Sequence, residues 1–200
     1  MVIAEPDDGA EPREVPLRVL ALYVAGIALG TAGILTLLGR ISWCRCGSPA
    51  PWSGDIWSSH NSQHLLDPYS FSHFQHGLVF YALLWLLARR RLAVGARGVL
   101  ALLLEAGWEV LENTPLVINR YRAGTISLDY TGDAILNSMG DLLSCGSGYV
   151  LAAVAPPLAS AFLFLAIEVT MLAVLRDSLL LNVWMLLAPC EAVRRWQAGG

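Results

Sequence analysis

Only one segment of this chain is both long enough to cross a bilayer and free of charge. It runs from Val19 to Gly39 and is bounded by Arg18 and Arg40. Every later apolar segment reaches that length only by including ionisable side chains, which are His73, His76, Glu105, Glu109, Glu112, Asp141 and Glu168. Because a charged side chain inside a bilayer costs roughly 3 kcal/mol or more, ionisable residues there mark functional positions.

The composition is that of a membrane protein. The chain has 200 residues, of which 56% are hydrophobic and 14% are charged, whereas soluble domains carry about 25% charged residues. We therefore predict an all-α, polytopic bundle of five to six transmembrane helices in a lipid bilayer. The net charge is −3 and the basic residues form no patch with aromatic side chains, so we expect no nucleic acid partner. The oligomeric state is left open.

Residues 1–16 are acidic and rich in proline, which predicts a disordered tail ahead of a single transmembrane domain at 17–200. A loop at 40–71 is expected on the periplasmic side. The last apolar segment is short for a span, which needs about 17 to 25 residues; a tilted span, a re-entrant hairpin and an interfacial helix are the alternatives. The six segments are 19–38, 72–88, 98–118, 134–155, 158–175 and 178–190.

The arginines predict the orientation of the chain. Arg89, Arg90, Arg91 and Arg97 fill one short loop without an acidic residue, which places that loop and the N-terminus in the cytoplasm. Eight arginines lie inside and five outside if segment 178–190 crosses, against six and seven if it does not. This balance favours the crossing in a multi-pass protein of the inner membrane. The histidines and most of the acidic residues then gather toward the outer leaflet.

Three glutamates form a stripe on one helix. Glu105, Glu109 and Glu112 are spaced i, i+4 and i+7, so they share a face and repel one another unless a cation, a proton or a metal intervenes. In the alternative interpretation two of them pair with Arg120 and Arg122. Either way the stripe is a candidate site.

A second stripe follows, with Asp129, Asp133, Asn137 and Asp141 at intervals of four. Asp133 suits the N-cap of a helix, whereas Asp141 is too deep to be a cap. Gly140, Ser144 and Gly148 form a neighbouring row of small residues that allows close helix packing.

Four histidines fall within 17 residues. His73 and His76 lie one helical turn apart and face the acidic stripes, so with Glu109 and Glu112 they are candidate ligands of a divalent metal. His60 and His64 are interpreted as histidines hydrogen-bonded to loop carbonyls. The alternative for His73 and His76 is the same structural role.

The four cysteines are Cys44, Cys46, Cys145 and Cys190. Cys44 and Cys46 are interpreted as a structural pair in a turn, since metal binding would require further ligands. If their loop lies outside the cytoplasm, a disulfide to another chain or to Cys190 is the alternative.

A series of short motifs occurs in order along the chain. They are Cys44-x-Cys46-Gly47, Asn61-Ser62-Gln63-His64, Tyr69-x-x-Ser72-His73-x-x-His76-Gly77, Glu105-x-x-Trp108-Glu109-x-x-Glu112-Asn113, Arg120-Tyr121-Arg122, 126–133 (ISLDYTGD) and Asn137-Ser138. From residue 17 onward the chain resembles the uncharacterised bacterial membrane family UPF0314, also described as DUF2585. The resemblance implies a multi-pass membrane protein and implies no activity.

A weaker likeness is to VanZ-like membrane proteins. In those proteins a histidine in a span precedes a glutamate, an arginine and an Asp-x-x-x-Asn element. His76, Glu112, Arg120 and Asp133-x-x-x-Asn137 follow that order here. The additional acids Glu105, Glu109 and Asp141 depart from it, and the likeness assigns no function.

Three functions are compatible with these features. The first is a metal-assisted or acid–base hydrolase or transferase acting on a lipid or envelope precursor. Its candidate catalytic residues are Glu109, Glu112, Asp133, Asp141 and Arg120, the arginine lying between Glu112 and Asp133 as their counter-ion. The second is a transporter of a small solute or of protons, relayed through Glu105 and Glu168. The third is an envelope factor without catalytic activity.

Overall fold

The computed structural model describes residues 12–127 and 129–199, and within these every named element is a helix. Most of the predicted disordered tail, residues 1–11, lies outside the described residues. Because every named element of the described residues is a helix, the predicted all-α class is confirmed. The helices are α1 (Leu17–Leu37), α2 (Ser70–Ala88), α3 (Val94–Glu112), α4 (Pro115–Gly124), α5 (Ile135–Val154), α6 (Pro157–Leu175), α7 (Leu179–Leu187) and α8 (Glu191–Gln197).

Three of the helices are long and apolar enough to cross a membrane. They are α1, α2 and α6, with mean hydropathies of 2.0, 1.2 and 2.3. Helices α3 and α5 have similar lengths, 19 and 20 residues, but are less apolar because they carry the acidic stripes. Large apolar side chains on α1 and α6, such as Leu29 and Leu165, are exposed. The structure thus supports a membrane protein, and the five to six crossings stay a prediction.

The centre of the bundle is the contact between α2 and α5. Gly77 on α2 and Gly148 on α5 lie where the two backbones meet, and a methyl group on either would overlap backbone atoms of the other helix. Gly148 belongs to the predicted row of small residues, so its role in close helix packing is confirmed. The two helices therefore approach more closely than larger residues would allow.

The third apolar segment, predicted at 98–118, is interrupted. Helix α3 ends at Glu112, and a new helix, α4, begins at Pro115. Proline lacks the N–H group that would continue α3, and its fixed φ suits the first turn of a new helix. The apolar segment predicted at 98–118 thus contains most of α3 and the start of α4, and α4 was not predicted.

The last apolar segment does not extend along the bundle. Helix α7 has nine residues and is therefore about 14 Å long, about half of a hydrocarbon core of about 30 Å. It lies beside α4, where the Tyr121 hydroxyl donates to Asn182 Oδ1 at 3.2 Å. Arg194 on α8 also reaches α4, donating to the Ala123 carbonyl at 3.3 Å. Helix α7 is too short to count among the described helices that could cross a membrane, so neither the crossing predicted for 178–190 nor its interfacial alternative is confirmed.

One end of the bundle collects the polar groups. At this end, here called the site end, α1, α3 and α6 finish while α2 and α5 begin. The amide of Ile135, the first residue of α5, donates to the Ile41 carbonyl just after α1 at 2.8 Å. Beside the start of α2, the Tyr69 hydroxyl donates to Asp177 after α6 at 3.1 Å. The predicted convergence of polar residues at a single end is confirmed.

We expect Gly148→Ala to destabilise the protein, because its methyl group would overlap the Phe74 carbonyl oxygen. Overpacking of a close contact costs roughly 1–3 kcal/mol. Thermal unfolding of the purified protein in detergent measures the effect. The control is Gly107→Ala on α3, where the added methyl meets no atom within 4 Å. Equal unfolding temperatures for the two variants would contradict the helix contact.

Candidate functional site

Two imidazoles on α2 share one carboxylate on α3. His73 Nδ1 lies 2.5 Å from Glu105 Oε1, and His76 Nδ1 lies 2.9 Å from Glu105 Oε2. Glu105 is fully buried, so both of its oxygens depend on these imidazoles for charge compensation. The i, i+3 spacing predicted to place the two histidines on one face is what allows both to reach Glu105.

Glu109 lies one turn after Glu105 on α3, and its carboxylate, unlike that of Glu105, has no hydrogen bonds within the described part of the chain. It is fully buried, and among the described residues neither of its oxygens has a hydrogen-bond partner. The nearest cationic group is His73 Nδ1, 3.3 Å from Oε1. A desolvated carboxylate without hydrogen bonds is costly, so this position calls for a proton or a bound cation.

Asp133 is held against the end of α3. Its carboxylate accepts from Asn113 Nδ2 at 2.8 Å and from the Tyr130 hydroxyl at 2.9 Å. Its own amide donates to Asn113 Oδ1 at 2.7 Å. Burial raises the pKa of Asp133, while the two accepted hydrogen bonds act in the opposite direction. The N-cap role predicted as an alternative for Asp133 is wrong, since α5 is capped at Ala134.

Asp141, on α5, faces the imidazole of His73. Its Oδ1 accepts from the Ser70 hydroxyl at 2.9 Å, and its Oδ2 lies 3.9 Å from His73 Nε2. His73 therefore stands between carboxylates of α3 and α5. Asp129, predicted to continue the stripe, precedes α5 and is exposed to solvent.

Asp67 is a member of the site that the sequence analysis missed. It is buried ahead of α2 and accepts from the Tyr69 amide at 2.7 Å and the Ser62 amide at 2.9 Å. Burial raises the pKa of Asp67, and the hydrogen bond from the Tyr69 amide opposes the shift. The spacing Asp67-x-x-Ser70-x-x-His73, one residue per turn, was the available signal.

Beside these groups lies a cavity of about 70 Å³, lined by His73, Asp67, Asp133 and Asp141 among others. A single water molecule needs roughly 10–15 Å³, so the cavity holds a few waters or a hydrated ion. Leu179 and Val183 of α7 close one side of it. The polar lining comprises Asn61, Ser62, Asp67, Tyr69, Ser72, His73, His76, Glu112, Tyr121, Ser127, Tyr130, Asp133, Asn137, Asp141 and Asn182.

Around His73, two sets of donor atoms among the described residues are close enough together to hold a metal ion. One is His73, His76 and Glu105, and the other is His73, Glu109 and Glu112; within each set the donor atoms lie within 4.8 Å of one another. Imidazole and carboxylate together suit zinc, manganese or ferrous iron. The second set contains Glu109, whose unpartnered oxygens a cation would satisfy. The residues present therefore fit a divalent metal.

Arg120 is not where the sequence analysis placed it. Its Nε donates to the Leu186 carbonyl at 2.6 Å and its Nη2 to the Leu187 carbonyl at 3.1 Å, at the end of α7. A basic side chain is favourable there because the last carbonyls of a helix are unpaired. The predicted position between Glu112 and Asp133 is wrong.

Arg122 is also directed elsewhere, with its Nε 2.5 Å from the Tyr130 carbonyl oxygen. Among the described residues, the ion pairs of the site carboxylates come from His73 and His76 alone. The alternative pairing of the glutamates with Arg120 and Arg122 is therefore also wrong.

The chain matches one family model and many related proteins. Residues 35–199 match the model described as "Protein of unknown function (DUF2585)". A UPF0314 protein of Paracoccus denitrificans is 49% identical over 189 residues, 94% of this chain and 97% of the relative. A UPF0314 protein of Sinorhizobium fredii is 46% identical over 200 residues, the full length of both chains.

A third relative, the UPF0314 protein of Novosphingobium aromaticivorans, is 42% identical over 192 residues, 94% of this chain and 97% of its own. No solved structure matches the chain significantly. The resemblance based on the ordered motifs is thus confirmed over nearly the whole length. The chain belongs to the UPF0314 family, whose members share the DUF2585 domain.

Proposed function

We propose that this protein is an integral enzyme of the inner membrane, a metal-assisted hydrolase or transferase acting on the polar headgroup of a lipid or envelope precursor. The observation that carries the proposal is Glu109, fully buried and without a hydrogen-bond partner beside His73. A chain that keeps such a group in its core bears a cost that a bound cation offsets.

His73, Glu109 and Glu112 are the proposed metal ligands. A divalent cation held there would supply Lewis-acid polarisation of a phosphoryl or carbonyl oxygen. Glu105 orients both imidazoles through their Nδ1 atoms, and Asp141 faces the other nitrogen of His73. Asp133, positioned by Asn113 and Tyr130, lines the cavity as the general acid or base.

The substrate class follows from charge and location. Among the described residues, those that line the cavity include several carboxylates and no arginine or lysine. An anionic headgroup would therefore be repelled there unless a cation intervened. The cavity lies at the site end, close to the short helix α7, whose Leu180, Trp184 and Leu187 are exposed and apolar. Such a surface suits the headgroup region of a bilayer, where a lipid would present its polar end.

We further propose that five helices cross the membrane as a single domain at 17–200, after an acidic tail at 1–16. The five are α1, α2, α3, α5 and α6, and α4, α7 and α8 lie at the periplasmic surface. With α7 outside, the orientation depends on the loop of Arg89, Arg90 and Arg91, together with Arg97, which is expected in the cytoplasm with the N-terminus. The loop at 40–71 is then periplasmic.

The contacts of Glu168 favour the enzyme over a proton relay. Its Oε1 accepts from Gln75 Nε2 at 3.0 Å and from the Leu179 amide at 3.1 Å. A carboxylate that accepts the first amide of a helix stabilises the positive end of the helix dipole. Glu168 is thus engaged in joining α6 to α2 and α7, which is a structural role.

The metal proposal predicts that a divalent cation stabilises the protein through Glu109. Ligand at 100 times its Kd adds about 2.7 kcal/mol, so manganese, which suits carboxylate and imidazole ligands, should raise the unfolding temperature of the wild type in detergent by several degrees. Glu109→Gln should lose this response. Glu191→Gln, which changes an exposed carboxylate on α8, should retain it. A wild-type protein indifferent to every divalent metal would refute the proposal.

Complementation of a deletion strain distinguishes a catalytic role of the site carboxylates from a purely structural one. A deletion strain is profiled for membrane lipids and cell-wall precursors and then complemented with the wild type or with Glu112→Gln. We expect accumulation of one precursor in the deletion, its removal by the wild type, and no rescue by Glu112→Gln at an equal level of folded protein. Rescue by Glu112→Gln would argue for an envelope factor without catalytic activity.

The orientation is tested with a membrane-impermeant thiol reagent on intact spheroplasts. Single cysteines are introduced as Asp55→Cys and Arg90→Cys, both at exposed positions, after Cys46 and Cys190 are changed to serine. Asp55→Cys should be labelled directly, and Arg90→Cys only after the membrane is permeabilised. The opposite pattern would place the site end in the cytoplasm.

A further inference from the structure

Four metal-binding side chains meet in the loop between α1 and α2, apart from the cavity described above. Cys44 Sγ lies 3.2 Å from His60 Nδ1, and Cys46 Sγ lies 3.6 Å from His64 Nε2. All four donor atoms lie within 4.8 Å of one another. We call Cys44, Cys46, His60 and His64 the loop cluster.

The spacing of the loop cluster is close to that of a tetrahedral zinc centre. With Zn–S near 2.3 Å and Zn–N near 2.0–2.1 Å, sulfur and nitrogen ligands lie about 3.3 to 3.8 Å apart. Both cysteine–histidine distances are near or within this interval. Two thiols and two imidazoles also form one of the standard ligand sets of structural zinc.

The environment of His64 orients it as a ligand. Its Nδ1 lies 2.6 Å from the Ala50 carbonyl oxygen, which can only accept, so Nδ1 carries the proton and Nε2 presents its lone pair to Cys46. Zinc-binding histidines are held in this way by an outer hydrogen bond. The predicted hydrogen bond from His64 to a loop carbonyl is thus confirmed. It involves Nδ1 alone, and Nε2 faces Cys46.

The turn that carries the two cysteines is also suited to a metal. The Gly47 amide donates to the Cys44 carbonyl at 3.2 Å, and Gly47 has a φ of +69°, a conformation that glycine adopts without strain. The Ser48 amide donates to Cys46 Sγ at 3.4 Å. This turn brings both sulfurs to the same side, facing the imidazoles.

We propose that the loop cluster binds one zinc ion as a structural site. Four protein ligands leave no open position for a substrate, which is the mark of a structural centre. The ion would fix the loop above the cavity: Asn137 Nδ2 donates to the His64 carbonyl at 2.8 Å, and Ser62 lines the cavity. The inference is independent of the metal proposed for the cavity, because the two share no ligand.

The sequence analysis missed this site for a definable reason. Cys44 and Cys46 are separated by one residue, whereas zinc-binding pairs are usually separated by two to four. The second half of the pattern, His60-x-x-x-His64, has the usual histidine spacing. Reading the histidine pair together with the cysteine pair would have given the full ligand set.

The test measures zinc in the full-length protein purified in mild detergent without chelator. We expect about one equivalent more zinc in the wild type than in Cys44→Ser/Cys46→Ser. Cys190→Ser, outside the loop, should match the wild type. Glu109→Gln should also retain the loop zinc, so failure of the cavity proposal and failure of this one are distinguishable. Equal zinc in the double serine variant and the wild type would overturn the proposal.

Two measurements on the wild type keep the test valid if the serine variant does not fold. Replacement of zinc by cobalt should give a thiolate-to-cobalt charge-transfer band in the near ultraviolet, since both cysteines would be ligands. Cys44 and Cys46 should resist alkylation until a chelator is added, whereas Cys190 reacts equally before and after. Absence of the band, or alkylation of the pair without chelator, would overturn the proposal, as would a Cys44–Cys46 disulfide.

Discussion

The site depends on one buried carboxylate that contacts two imidazoles. Glu105 contacts His73 and His76 together, and this contact ties α2 to α3 in the buried core, where an uncompensated charge is costly. Glu109, Asp141 and Asp133 are arranged around the imidazole that Glu105 positions. Removing Glu105 would therefore release both imidazoles, whereas removing Asp133 would leave the contacts of His73 and His76 with Glu105 in place.

The close approach of α2 to α5 determines which residues of the two helices meet in the site. Gly77 and Gly148 let the two backbones touch, which brings Asp141 to the same level as His73. A wider separation would leave the pair apart and open the cavity to bulk water, where the electrostatic interactions weaken. The small residues of α5 thus allow its acidic residue, Asp141, to reach His73 on α2.

Much of this arrangement could be predicted from spacing alone. Helical periodicity placed His73 with His76 and Glu105 with Glu109, because residues one turn apart share a face. Spacing could not predict the direction of Arg120, which depends on the position of α7, a neighbour distant in sequence. Helix α4 was not predicted, although Pro115 is a typical first residue of a helix. Asp67 was missed because it lies ahead of the apolar segment of α2, although its spacing to Ser70 and His73 continues the helical period.

The loop between α1 and α2 is completed by residues that the ribosome makes much later. The amides of Ala134, Ile135 and Leu136 donate to the carbonyls of Ser62, Ile41 and Ser42. The start of α5 therefore fixes the position of the loop through backbone hydrogen bonds. During synthesis the loop therefore stays open until the start of α5 has been made. Closure of the cavity is in this way a late event of biogenesis, and a nascent chain that stops before α5 has no enclosed site.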